Sequence, residues 1–317
     1  LIENPLRFGR YGKTKTIMLF LMMVGVGIGG FFIYKNKGEM VRLNIEIVDK
    51  EKAKEIEILW NESKLRCNRQ FPDWDGLSDN KCAMQKDKNT IAIIGDSHAG
   101  HLFSGLAEQT RENEGIAVFP ISCGAPLIDI KTGTKAPKAG CMRDQANILH
   151  KQAFDYIFKH PEIKTVVLAH NPHCSAKDAI DTQNPNEKNP LKVIENGMKR
   201  TFKRLSDAGK KVVVVLDNPK TPKKPSGCIR SGINEDKCKF NKSEYIGFKP
   251  IQNYNNLAKM IAKDYKNISF VDLSNILCDK DFCYISKNGK VLYRDNNHLN
   301  YNGSALVSSE IMKVIRQ

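Results

Sequence analysis

Three kinds of apolar patterning follow one another along the chain. Residues 16–34 form an uncharged, apolar run of 19 residues. At 1.5 Å rise per residue, that is long enough to cross the hydrocarbon core of a bilayer. A helix buried in a soluble core is the alternative, but the basic flanks and Tyr34 at the boundary favour a span. Gly25 and Gly29 give a G-x-x-x-G spacing, a weak motif that lets a second helix approach closely. From residue 36 to residue 88 the apolar residues thin out. Residues 51–60, with Ile56, Ile58 and Leu59 among charges, predict a short helix. The stretch from Arg66 to Cys82 is rich in Asp, Asn and Gly and reads as an ordered extension rather than a free linker.

Beyond Thr90, β-prone runs alternate with helical spacing. Strands are predicted over residues 91–95, 116–119, 165–169, 211–216 and 268–271. The run at 211–216, with four consecutive valines, reads as the central strand. A helix is predicted over 191–207, stopped by Gly209, and a closing helix over 304–315. Residues 181–189 and 221–226 read as loops. Unalternating strands separated by helices predict an α/β architecture, a parallel sheet between two helical layers.

The first of these strands ends in Gly95-Asp96-Ser97-His98, and a helical pattern of Leu102, Phe103, Leu106 and Ala107 follows. Such a serine sits at the carboxyl end of a strand, where open α/β sheets bind ligands. Its backbone N–H lies near a helix N-terminus, which favours a developing anion. A serine hydroxyl is a weak nucleophile without a base to take its proton. The chain offers one near its end, in Tyr293-Arg294-Asp295-Asn296-Asn297-His298. On one helical turn Asp295 and His298 would share a face, and the carboxylate would orient the imidazole. The plainer reading is that Asp96 and Ser97 only cap a helix, since both are favoured there.

Charge and cysteine content narrow the setting. The formal net charge of +15 raises nucleic acid as a partner. No nucleic-acid-binding motif is present and the lysines are scattered, so a basic surface toward anionic membranes or acidic glycans fits as well. Nine cysteines fall mostly in short-range couples: Cys67 with Cys82, Cys123 with Cys141, Cys228 with Cys238, Cys278 with Cys283. Zinc is the rival explanation, but no C-x-x-C or H-x-x-x-H spacing appears, and disulfides in an oxidising compartment are favoured. Cys174 is left over. Arg7, Arg10, Lys13 and Lys15 precede the apolar run while Lys35 and Lys37 follow it. The positive-inside rule then puts the N-terminus in the cytoplasm and the bulk of the chain outside. The chain opens on Leu1 rather than methionine, which reads as a fragment or a processed product.

Gly95-Asp96-Ser97 and Asp295-x-x-His298, in that order, resemble the first and last blocks of the SGNH-hydrolase family. The resemblance implies a three-layer, flavodoxin-like α/β fold with Ser97 as nucleophile, His298 as base and Asp295 as its orienting acid. It also implies an oxyanion hole made by the Ser97 N–H, Gly124 after the second strand and Asn171 after the third. The family's Gly-x-Asn-Asp block is absent around Asn171, which could be a turn residue before Pro172. Gly124 could equally serve turn chemistry beside Cys123. His170 and His173 stand near Asn171, and a structural role suits either better than lining the pocket. His98 and His101 follow the nucleophile and are not required by the mechanism.

The resemblance narrows through Ile94-Gly95-Asp96-Ser97-His98, the Cys123 and Cys141 couple, Val213-Val214-Val215-Leu216-Asp217-Asn218-Pro219 with Cys228 downstream, and Cys278 and Cys283 before Asp295-x-x-His298. Together these look like the SGNH domain fused behind an acyltransferase-3 membrane domain, as in O-antigen O-acetyltransferases. Ile2-Glu3-Asn4-Pro5-Leu6-Arg7 is similar to the tail of that membrane domain. The resemblance divides the chain into a cytoplasmic tail (1–15), a transmembrane helix (16–34), a periplasmic linking region (35–88) and an SGNH domain (89–317). It implies transfer of an acetyl or other acyl group to a sugar hydroxyl of a surface polysaccharide such as lipopolysaccharide O-antigen, at a bacterial inner membrane. Neither a metal nor a nucleotide is required of this portion. Acetyl-CoA would serve as the ultimate donor, acting through the membrane domain. The rival readings are a carbohydrate O-acetyl esterase, an inactive glycan-binding module and a membrane-anchored scaffold.

Overall fold

The computed structural model describes residues 12–35, 50–72, 82–122, 124–132, 143–172, 179–229, 235–246 and 249–317. The chain divides into two compact units, Leu1–Ile45 and Glu46–Gln317. Helix α1 (Gly12–Lys35) belongs to the first. Its window Lys13–Phe32 is the one helix among the described residues long and apolar enough to cross a membrane, and none of that window is buried.

The second unit opens with α2 (Lys50–Gln70), a helix about three turns longer than the sequence pattern predicts, because its second half keeps helical backbone through Arg66 and Arg69. After it come β1 (Ala83–Met84), β2 (Ile91–Gly95), α3 (Ser97–Glu108), β3 (Ile116–Pro120), α4 (Arg143–Lys159) and β4 (Thr165–Ala169). Then follow α5 (Pro190–Asp207), β5 (Lys211–Leu216), α6 (Lys249–Ala262), β6 (Ile268–Asp272) and α7 (Tyr301–Arg316). Short hairpin pieces fill the connections. The six strands order β1-β3-β2-β4-β5-β6. Five run parallel, as expected, but β1 pairs antiparallel with β3 through Ala83↔Val118 and Met84↔Ala117. The sheet therefore begins before residue 89, and the boundary expected there moves toward the N-terminus.

Side-chain alternation builds the two outer layers. Ala92, Ile94, Phe119, Val166 and Val214 share one core with residues of α4, α5 and α6. Ile91, Ile93, Val118, Val167 and Val215 share the other with α3 and α7. Strands β2 and β3 are buried and apolar along their whole length because both faces are covered, whereas β6 at the sheet edge carries Ser269 and Asp272 and is mostly half-buried. Helices α3 and α7 approach so closely that a Cβ on Gly105 would lie 2.5 Å from the Ser304 carbonyl carbon. Asn189 caps α5 by accepting from the Leu191 N–H, and Gly209 beyond its end takes the left-handed conformation, φ 66°.

Helix α2 is joined to the sheet edge by the Cys67–Cys82 bridge. A second expected bridge, Cys278–Cys283, is also present. Cys123, Cys141, Cys174 and His173 lie outside the described residues. The Cys228–Cys238 bridge is a correction: both are buried thiols. They are hydrogen-bonded to each other, and burial pushes the Cys228 thiol up to about 12. In this apolar layer the Cys228 sulfur keeps its proton, because a thiolate there would be costly. Replacing Cys67 and Cys82 with serine is expected to cost about 3 kcal/mol, the entropy of opening a loop of this length, read as a lower urea midpoint. An unchanged midpoint would mean that the bridge does not constrain the domain.

Candidate active site

The parallel strands run in the order β3-β2-β4-β5-β6, so the chain reverses its direction of growth between β2 and β4. Ligands in open α/β sheets bind outside the carboxyl ends of strands at such a point. There Gly95 pairs with Ala169. A Cβ on Gly95 would fall 1.6 Å from the Ala169 carbonyl oxygen, so only glycine lets the two strand ends meet. Asp96 then caps α3, its Oδ1 accepting the His98 N–H at 2.8 Å. Its Oδ2 accepts the Asn171 N–H at 2.9 Å. Asp96 is thus a cap, as the plainer reading had it, and also a tie between two strand ends. Burial raises its pKa to about 6.

Ser97 opens α3 with its hydroxyl toward the cleft. Its Oγ lies 2.7 Å from His298 Nε2, although the two residues are 201 positions apart. His298 Nδ1 lies 2.8 Å from Asp295 Oδ2. The Asp295–His298 segment is a loop and not the helical turn that the spacing suggests. Asp295 Oδ1 accepts the N–H groups of Asn297 at 2.9 Å and His298 at 2.8 Å. This side-chain-to-backbone closure replaces a helical hydrogen bond and brings Oδ2 onto the ring. With Nδ1–H given to the carboxylate, Nε2 is left to accept the serine proton.

Electrostatics suit that task. Burial, then the neighbouring His98, lower the His298 pKa, with Asp295 opposing them. Desolvation raises the Asp295 pKa, but its backbone and imidazole hydrogen bonds outweigh that and hold it below the usual carboxylate range. His298 is therefore neutral at neutral pH and ready to act as a base. His101 is lowered well below the usual range by burial and accepts the Leu299 N–H at Nδ1, 3.3 Å away.

The two other expected oxyanion residues separate. Asn171 stands at the end of β4 with its side-chain amide 3.5 Å from His98 Nε2. Gly124 is a correction: its N–H donates to the Ile121 carbonyl at 2.9 Å, closing a turn. A Cβ there would meet the His150 ring at 2.4 Å. Its glycine character answers to the close packing of His150, and its amide is already used.

An open cleft of about 460 Å³ runs from Ser97 past His101, Phe103 and Tyr301. Its far wall is α2, through Ile56, Leu59 and Trp60. Trp60 packs edge-on against Phe103, 5.4 Å between centroids. A tryptophan among charged helical residues was the available signal, but nothing in the sequence ties it to Ser97. Among the described residues, no group of three or more His, Cys, Asp or Glu side chains could hold a metal ion.

The periplasmic domain of a lipopolysaccharide acetyltransferase from Salmonella ser. Paratyphi A is 17% identical, with a TM-score of 0.51, covering 73% of this chain and 85% of that one. An acylhydrolase from Bacteroides fragilis NCTC 9343, itself described as putative, is 14% identical with a TM-score of 0.42, covering 78% and 95%. An acetyl xylan esterase is 16% identical with a TM-score of 0.42, covering 71% and 99%. No curated protein sequence matches the chain. Residues 66–313, which hold the bridge at Cys67, the sheet and both halves of the Ser97–His298 contact, match the family described as the SGNH domain fused to AT3 domains, and the chain belongs to that family.

Proposed function

We propose that the chain is the periplasmic SGNH portion of a membrane-bound O-acyltransferase, which passes an acetyl group to a sugar hydroxyl of a surface polysaccharide. The observation that carries the reading is the serine hydroxyl 2.7 Å from an imidazole whose other nitrogen is held by a carboxylate. Ser97 Oγ attacks the acyl carbonyl as His298 Nε2 takes its proton. The resulting oxyanion is held by the Ser97 N–H at the start of α3 and by the Asn171 amide. Collapse leaves acyl-Ser97, and His298 returns the proton to the departing group. A sugar hydroxyl then gives its proton to His298 as it attacks the acyl-serine, and His298 passes that proton to Ser97 Oγ as the acyl–Oγ bond breaks and the sugar ester leaves.

The family's fusion to AT3 domains supports a membrane domain as the partner that delivers the acyl group. Acetyl-CoA in the cytoplasm is the ultimate donor in this reading, and this portion needs no cofactor of its own. The α1 helix and the basic residues before it support an anchor in the bacterial inner membrane with its N-terminus cytoplasmic and the Glu46–Gln317 unit in the periplasm. Lipopolysaccharide O-antigen is the favoured acceptor, by likeness to the Salmonella domain. Mass spectrometry of surface polysaccharide from cells with and without the intact gene tests this. Acetyl esters present only with the gene are expected. Esters lost from an already acetylated polysaccharide would replace transfer with hydrolysis, and an unchanged polysaccharide would leave a glycan-binding module.

A further inference from the structure

The mechanism uses one histidine of the three that crowd the cleft floor. His98, beside the nucleophile, is buried, with its Nδ1 2.6 Å from Asp217 Oδ1. Asp217 is buried as well, and its Oδ1 also accepts the Asn218 N–H at 2.9 Å. The other ring nitrogen of His98, Nε2, lies 3.5 Å from Asn171 Nδ2. The ring centroid stands 4.9 Å from that of His298. His98 follows β2, Asn171 follows β4 and Asp217 follows β5, so three neighbouring strand ends converge on one imidazole. The loop after Asp217 also holds the triad loop: Asn218 Nδ2 donates to the Asn297 carbonyl at 2.8 Å, and the Thr221 N–H donates to that of Asn296 at 2.7 Å.

We propose that His98 and Asp217 form a second, buried histidine–carboxylate pair that positions the first, fixing the Asn171 amide toward the oxyanion and placing a fixed positive charge behind His298. The inference rests on the acyl-transfer reading of Ser97 and His298. A carboxylate this deeply buried needs a charged partner. Burial opposes the ring's charge, but Asp217 outweighs it and raises His98 to about 9. An imidazolium has two donors and no acceptor. With Nδ1–H on Asp217, Nε2–H and the Asn171 Nδ2 beside it would be two donors facing each other, so the amide takes the flipped orientation, with Oδ1 accepting from Nε2–H and the NH₂ directed away from the ring and toward the oxyanion. His98 is thus a positioning residue.

The groups that face this pair come from several elements, beginning with Tyr245, whose hydroxyl donates to the Asp217 carbonyl at 3.1 Å, and the buried Tyr293, both raised by burial and by Asp217 and so uncharged. Asp96 and His101 lie beside His98 on α3 or its cap, and Asp295 and His298 approach it from the triad loop. His170 approaches after β4 and is lowered to about 3 by burial and then by His98. Arg294 adds a positive charge to His298 from its own loop. His101 and His170 are neutral near pH 7, so the positive charge removed with His98 is the one that α3 contributes beside His298.

The test uses hydrolysis of p-nitrophenyl acetate by the full chain in detergent, with Ser97→Ala as the control for the underlying reading. His298 must be neutral to act, so its pKa sets the acid limb of kcat/KM. His98→Gln removes the neighbouring positive charge, so that limb is expected to move to higher pH by about one unit. kcat is expected to fall about tenfold or more with little change in KM. Asn171→Ala should give the kcat loss without the shift, and the double variant should be no slower than the slower single. An unmoved limb in folded His98→Gln, or losses that multiply, would overturn the proposal. Independently of any variant, ¹⁵N shifts of the His98 ring at pH 7.5 should show both nitrogens protonated, and a neutral ring would overturn it. Activity retained in Ser97→Ala would instead defeat the acyl-transfer reading beneath it.

Discussion

Ser97→Ala is expected to abolish acyl transfer, lowering the rate by about 10⁴-fold or more, with thermal stability unchanged. The loss is large because the hydroxyl is the atom that forms the covalent bond, and no neighbour replaces it. Stability holds because the cap of α3 is the Asp96 carboxylate and not the serine. The side chain reaches His298 across the cleft and packs into neither core cluster. Loss of activity with a matching loss of folded protein would make Ser97 a structural residue. Full activity in a folded variant would remove it from the chemistry.

The second large effect is expected from Asp295→Asn, a fall in kcat of about 10³-fold. The carboxylate does two things at once. Its Oδ1 closes the loop on the N–H groups of Asn297 and His298, and its Oδ2 holds His298 Nδ1. An amide keeps the first task through its oxygen but presents NH₂ to the ring, which favours the wrong tautomer. At 42% side-chain exposure Asp295 is partly screened by water, so the loss should be less than that of Ser97→Ala. The sign of the pH effect separates the two histidine–carboxylate pairs. Asp295 raises the His298 pKa, so its loss moves the acid limb down, whereas loss of His98 moves it up. Pre-steady-state kinetics of Asp295→Asn across pH 5–9 would check both size and sign; a limb moving upward would show that Asp295 does not support the base.

How much of this was legible in the sequence depends on the range of the interaction. Residues 91–95 and 211–216 read as strands because both faces are buried, leaving an apolar run without alternation. Helices α4 and α6 were not predicted. Their outward faces are rich in Lys, Asp, Asn and Gln, and several of the residues that pack, such as Ala146, Ala153, Ala258 and Ala262, are small alanines that mark an apolar face only weakly. At the site, Ser97, Asp295 and His298 were legible because strand-turn-helix and Asp-x-x-His are local patterns. Gly124 was misread because a glycine that makes room for His150 looks in sequence like one that frees an amide. The His98–Asp217 contact spans 119 residues and exists only once β2 and β5 share a sheet. Trp60 reaches the cleft only because α2 packs onto the sheet edge beside β1.

The central claim is that His298 activates the Ser97 hydroxyl. A fluorophosphonate reacts only with an activated serine, so labelling the folded chain and mapping the modified peptide tests it most directly. A single phosphonylated site at Ser97 is expected, formed fastest above the His298 pKa and lost in folded His298→Ala. An unlabelled Ser97, or a label that His298→Ala leaves in place, would contradict it.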